Sequence, residues 1–80
     1  MSTFSIALDE IKRGHLVARS GWNGKGMWVG LYKPEVDVDL PYLYMKTVQD
    51  KNVPWLASQT DILADDWFTL NRKDVMGEDD

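Results

Sequence analysis

The sequence predicts an α+β fold, with an N-terminal helix packed on a small antiparallel sheet and a short second helix before the last strand. One amphipathic stripe opens the chain, short apolar runs punctuated by Gly, Pro and Asn follow, and a helix-capping signature precedes a final aromatic-rich run. Phe4, Ala7, Leu8 and Ile11 fall at i, i+3, i+4 and i+7, one face of a helix. Thr3 or Ser2 stands where its cap belongs. Gly14 follows Lys12 and Arg13 and ends the helix in the left-handed region. A helix this short does not survive unpacked, so its stripe must lie on the sheet.

Leu16-Val17-Ala18-Arg19 reads as the first strand, and Met27 to Tyr32 as its return. Between them Gly21-Trp22-Asn23-Gly24-Lys25-Gly26 places three glycines around a Trp-Asn pair, and Asn-Gly is a strong hairpin-turn signal. Pro34 to Pro41 is a loop of alternating acid and valine, after which Tyr42 to Thr47 forms a third strand. Gln49 to Asn52 turns the chain into Val53-Pro54-Trp55-Leu56, an edge stretch because Pro54 cannot donate to a ladder. Ser58 caps a second helix running to about Asp65, with Asp61 answering as the acid of a capping box. Trp67-Phe68-Thr69-Leu70 is the last strand, and one of its two aromatics belongs to the core. Trp28 and Tyr32 share parity with Gly30 and line either the core or a subunit interface. Residues 1–70 therefore form one ligand-binding domain, and 71–80 a disordered acidic tail.

An 80-residue chain buries a small share of its surface and needs a staple. With no cysteine, disulfides and thiol chemistry are excluded, and the lone His15 leaves neither a zinc finger nor a dedicated metal site. Oligomerisation is the staple that remains, so a homo-oligomer is expected. Nine Lys/Arg against thirteen Asp/Glu give a net charge of −4, with no basic block to neutralise duplex nucleic acid. No run approaches a membrane span and the N-terminus lacks a signal-peptide pattern, so the expected location is cytoplasmic, without a membrane partner.

Catalysis finds little support. His15 has no Ser or Asp at a recognisable motif spacing, and a surface or half-buried histidine is the better reading. Asp61, Asp65 and Asp66 are the one carboxylate cluster outside the tail. Capping explains the first of them, and solvation of the helix end the other two. No phosphate loop, dinucleotide fingerprint or nucleophile elbow is present, and no cofactor is expected. Binding fits better. Trp22 beside residues without Cβ atoms offers a face for a flat ligand, with backbone amides close by. Asn23, Gly24 and Lys25 continue that segment. Trp55 precedes a helix start where Ser58, Gln59, Thr60 and Asp61 present hydrogen-bonding side chains.

Two blocks together resemble the Thoeris anti-defence sponge family of small phage-encoded proteins. The first runs from Phe4-Ser5-Ile6-Ala7-Leu8 through Lys12-Arg13-Gly14 and Val17-Ala18-Arg19 into Gly21-Trp22-Asn23-Gly24-Lys25. The second is Met45-Lys46-Thr47 followed by Val53-Pro54-Trp55-Leu56-Ala57-Ser58-Gln59-Thr60-Asp61 and on to Trp67. The resemblance covers nearly the whole chain. It implies a homotetramer that binds cyclic ADP-ribose-type signals in pockets at subunit boundaries and sequesters them uncleaved, with some relatives also taking cyclic dinucleotides. Carried over by position, Trp22 and Asn23, with Gly24 and Lys25, supply the first half of such a site. Trp55 with Ser58, Gln59, Thr60 and Asp61 supplies the second. The segment Lys33 to Pro41 is shorter than the family's usual middle region, a difference that bears on ligand choice. Val48 to Asn52 replaces a more usual Ala-Asp-Gly type of turn, which alters the hairpin only. Two rival readings remain from other classes: a structural or protein-interaction subunit of a phage assembly, and a small hydrolase built on Asp61, Asp65 and Asp66.

Overall fold

Thr3 is in extended backbone (φ −76°, ψ 165°) and its hydroxyl accepts the Ile6 N–H, which starts helix α1, Phe4–Lys12. At the far end the Gly14 N–H donates to the Ile11 carbonyl (2.9 Å) and the His15 N–H to the Glu10 carbonyl (3.0 Å). Gly14, at φ 96°, makes this Schellman closure without the strain a Cβ would bring. His15 lies at the surface, its Nδ1 2.9 Å from Glu10 Oε1. The computed structural model describes residues 1–22, 26–35 and 40–76. The expected Asn23-Gly24 turn and Lys25 lie outside the described residues.

Five strands follow: β1 (Leu16–Arg19), β2 (Trp28–Tyr32), β3 (Tyr42–Lys46), β4 (Asn52–Pro54) and β5 (Trp67–Leu70). They form one antiparallel sheet in the order β4-β3-β2-β1-β5. Pro54 falls on the edge strand, where a missing N–H costs no ladder bond. Between β4 and β5 the chain crosses the sheet through helix α2, Gln59–Leu63, and so brings its last strand beside its first. That return sets Arg19 directly opposite Trp67. Helix α2 ends two residues before the expected Asp65. Ala64 is already extended (φ −72°, ψ 151°), and Asp66 is held by the first strand's turn.

The two faces of the sheet carry separate cores. Ala7 and Ile11 of α1 pack on Val17, Val29 and Trp67, with Phe4, Trp22, Trp55, Leu31, Leu43 and Met45 around them. On the opposite face Leu16, Ala18 and Trp28 are buried against Tyr44, Leu70 and Val75, and Trp22, just beyond the end of β1, packs against both cores. Leu16, Val17 and Ala18 are therefore buried in succession, because β1 is covered on both sides. Trp28 resolves into the core, Tyr32 of the same parity remains exposed, and Trp67 is the buried member of the Trp67-Phe68 pair.

The cover on the second face corrects one expectation. Residues predicted to fray from Asn71 onward instead include a helix, α3, at Arg72–Met76. Asn71 caps it, its Oδ1 accepting the Lys73 N–H at 2.9 Å, and Arg72 Nε donates to the Gly14 carbonyl at 2.7 Å. Val75 is the apolar anchor that the exposed side of Leu16, Ala18 and Trp28 requires. Residues 77–80 lie outside the described residues. Among those described, no helix is long and apolar enough to cross a membrane.

Candidate functional site

Arg19 ends β1 with the same parity as Val17, so its side chain projects toward the α1 side of the sheet. There it meets two carboxylates. Its Nη1 is 2.8 Å from Asp61 Oδ1 and its Nε 2.8 Å from Asp66 Oδ1, with Nη2 3.5 Å from Asp66 Oδ2. The pairing is well shielded: the Arg19 and Asp61 side chains are 14% and 13% exposed. A guanidinium can serve both acids because its fork presents N–H groups in two directions, which an ammonium does not.

Each carboxylate then does a second task. Asp61 Oδ1 also accepts the indole N–H of Trp22 at 3.2 Å, across 39 residues of sequence. Its Oδ2 accepts the Ser58 N–H, while Ser58 Oγ accepts the Asp61 N–H at 3.1 Å, closing the expected capping box. Asp66 Oδ2 accepts the Gly21 N–H at 2.8 Å, and the Asp66 carbonyl accepts the Ser20 N–H at 3.2 Å. The turn that leads into Trp22 is thereby tied to the far end of the chain. A Cβ on Gly21 would stand 2.8 Å from Asp66 Oδ2, so glycine is what lets the carboxylate approach.

Above this network lie four aromatic rings. Trp22 meets Trp67 edge-on at 5.4 Å between centroids and Trp55 at 6.4 Å. Phe4 closes the group at 5.4 Å from Trp67 and 6.2 Å from Trp55. Edge-to-face pairs of this kind add about 0.5–1.5 kcal/mol each beyond burial. The Trp67 indole N–H donates to the Asp61 carbonyl at 3.0 Å, so residue 61 receives two indole donors.

The predicted site residues are brought together unevenly. Trp22, Trp55 and Asp61, all half-buried, meet in this cluster, and Ser58 adjoins it as the cap. Gln59 and Thr60 are exposed on the first turn of α2, and Asn23, Gly24 and Lys25 lie outside the described residues. Trp22 borders a cavity of about 290 Å³, shared with Ala18, Arg19, Ser20, Gly26, Met27 and Phe68. Trp55 is not among its lining residues, so the two indoles do not frame one cleft within a single chain. The start of α2 is also less open than expected, because the capping box uses the Asp61 amide.

Asp66 is a correction. It does not solvate the helix end, as the sequence suggested, but anchors Arg19 and Gly21, and Asp65 alone is exposed. Arg19 carried no predicted role. Its signal was an arginine at inward parity closing an otherwise apolar strand. Burial pushes the Asp61 carboxyl up, but hydrogen bonds from Arg19, Trp22 and Ser58 outweigh it and hold the group below the ordinary carboxylate range. The Arg19 hydrogen bond, helped by the Gly21 amide, lowers Asp66 in the same way. A general acid at neutral pH needs the opposite shift. Among the described residues no group of three His, Cys, Asp or Glu gathers to hold a metal.

A second hollow, of about 350 Å³, opens on the other side of the sheet between Tyr32, Tyr42, Tyr44, Asn52, Pro54 and Arg72.

Fold and site together define a small single-sheet α+β domain in which Asp61 and Asp66 are committed to an internal arginine and Trp22 borders a hollow of about 290 Å³. A family model, the Thoeris anti-defense 2-like domain, matches residues 2–70. The chain is 35% identical to Thoeris anti-defense 2 of Bacillus phage SP01, over 81% of this chain and 90% of that protein. It belongs to the Thoeris anti-defense 2-like family. Membership supports an anti-defence role in a phage setting.

Proposed function

We propose that this protein binds and sequesters a cyclic ADP-ribose-type or cyclic dinucleotide immune signal, without cleaving it, and so counters a bacterial anti-phage defence. The observation that carries this reading is Trp22: a half-buried indole, oriented by Asp61, bordering a cavity of about 290 Å³. A ring held in one orientation loses little freedom when a base stacks on it, and that favours capture. Holding without turnover is supported by Asp61 and Asp66, which are paired with Arg19 and held below the ordinary carboxylate range, the opposite of what a general acid needs. The protein acts as a stoichiometric sink in the cytoplasm of the infected cell.

Assembly into a homotetramer is part of the proposal. Leu56 and Leu63 are 92% and 81% exposed, and Ile6 and Ile62 about half exposed, an apolar load that a second subunit would cover. A neighbouring subunit would also complete what one chain leaves unfinished, a wall for Trp55 and for the Gln59-Thr60 turn. The rival reading, a protein-interaction subunit, draws on a different observation, the exposed Tyr32 and Tyr42 beside the second hollow.

Calorimetry against cyclic ADP-ribose isomers and cyclic dinucleotides tests the proposal. At least one should bind stoichiometrically and be recovered unchanged after heat denaturation. Trp22→Leu, which keeps apolar volume but removes the stacking face, should abolish binding while the assembly keeps its size on gel filtration. A wild type that binds nothing on the panel would hand the case to the interaction reading, and a new product on chromatography would make it an enzyme.

A further inference from the structure

We infer that Arg19 is a positioning residue for the ligand site, setting the Trp22 ring through Asp61 and the backbone before it through Asp66. The inference rests on the proposed role of Trp22 as the stacking face. Two constraints converge on that residue. Its indole N–H is held at 3.2 Å by Asp61 Oδ1, the same oxygen that Arg19 Nη1 holds at 2.8 Å. Its preceding amide, at Gly21, is held at 2.8 Å by Asp66 Oδ2, while Arg19 Nε holds the other oxygen of that carboxylate at 2.8 Å. One guanidinium therefore fixes both acids, and the two acids fix the ring and the turn that presents it. No other cation is paired with either carboxylate among the described residues.

A direct role for Arg19, as a charge facing the ligand's phosphates, is the alternative to distinguish, because Arg19 also borders the cavity. The two roles predict opposite behaviour at Asp66. If Arg19 meets phosphate, removing the charge of Asp66 frees the guanidinium and leaves affinity equal or higher. If Arg19 positions Trp22, weakening Asp66 loosens the turn and lowers affinity. Lysine at position 19 keeps the charge but cannot fork between two acids.

The test combines calorimetry and ¹⁵N-resolved NMR of the indole N–H signals in wild type, Arg19→Lys, Asp66→Asn and Gly21→Ala, all measured well below their melting temperatures. Gly21→Ala is the mildest: its Cβ would press on Asp66 Oδ2 at 2.8 Å while leaving the core untouched. Expected is a loss of affinity of about tenfold or more in Arg19→Lys and Asp66→Asn, the scale of a charge-assisted hydrogen bond. The Trp22 indole signal should shift and broaden, and by more than that of Trp28, which lies in the second core where Trp22 also packs. A purely structural role would lower the melting temperature without moving either readout in the folded protein. Unchanged or tighter binding in Asp66→Asn overturns the inference, as does an unmoved Trp22 signal in Arg19→Lys. If wild type binds nothing, the sponge reading falls on that result alone, and the indole signals still decide whether Arg19 sets the ring.

Discussion

The α1 side of the sheet and the opposite side both present clustered aromatic rings, but they hold them differently. On the α1 side Trp22 and Trp67 each spend their indole N–H on residue 61, and that residue is pinned in turn by Arg19. On the other side Tyr32 and Tyr42 face each other across β2 and β3 at 5.1 Å, and each is 47% exposed. The first group is a rigid body tied by polar anchors to both ends of the chain. The second is a cross-strand pair at the ends of β2 and β3, for which the ring contact is the restraint seen among the described residues. Similar side chains thus acquire different mechanical character from the polar partners supplied to them, and a ligand face needs the rigid kind.

The comparison breaks most severely at Trp67, the ring against which Phe4, Trp22 and Trp55 all pack. Trp67→Ala removes a fully buried indole and takes from the Asp61 carbonyl the shorter of its two hydrogen bonds, leaving that from the Ala64 N–H, at a cost of about 3–5 kcal/mol. A domain of this size loses about 4–8 °C of melting temperature per kcal/mol. Circular dichroism melts should therefore find the variant largely unfolded at temperatures where wild type is intact. A melting temperature within a few degrees of wild type would show that the tryptophan cluster is not the rigid body its geometry implies.

A milder break comes from acid. Asp61 and Asp66 titrate lower in the folded protein than the 3.8 of a free aspartate. Folding therefore gains from them in full above that unfolded value, and the gain is lost as the pH falls through their folded values. Melting temperatures should be level between pH 7 and pH 5 and fall below about pH 4. Arg19→Gln weakens this dependence. Without the guanidinium, burial still raises the Asp61 carboxyl while the Trp22 and Ser58 hydrogen bonds still lower it, so less of the downward shift remains. The variant should start less stable at pH 7 and lose less on acidification. Parallel pH profiles for the two proteins would mean that Arg19 is not what keeps these acids charged.

Much of this arrangement is legible in the sequence, though not its centre. The α1 stripe, the Thr3 cap, the Gly14 closure and the Ser58-Asp61 capping box are local patterns, each contained within a few residues, and periodicity and capping rules find them. Helix α3 escapes because Asn71 to Val75 offers one apolar residue to count. The reason it packs is the uncovered second face of β1, which only the folded sheet reveals. Arg19 escapes for a related reason. Parity in a four-residue strand says which way it points, but its partners stand 42 and 47 positions later, and nothing local links them. Trp22 and Trp55 stand out in the sequence as aromatics beside a glycine turn and a helix start, yet their edge-on contact depends on the crossing that brings α2 and β5 back to β1. Long-range pairing is set by topology, and topology is what the patterns leave open.

The smallest expected effect comes from the tyrosine side, and it sharpens the contrast because it should leave the ligand site alone. Tyr32→Ala and Tyr42→Ala each remove half of one cross-strand ring contact, and such a pair is worth about 0.2–1 kcal/mol relative to alanines. A double-mutant cycle in urea should return a coupling energy of that size and no more, since both rings already spend much of their surface in water. Neither substitution touches Trp22, Asp61 or Arg19, so calorimetric affinity for a cyclic nucleotide should match wild type. Weakened ligand binding in these variants, at unchanged assembly size, would move the binding face to the hollow lined by Tyr32, Tyr42 and Tyr44. A loss of assembly instead would assign that face to subunit contact. The rigid tryptophan side keeps its claim to the ligand only if both quantities stay where they are.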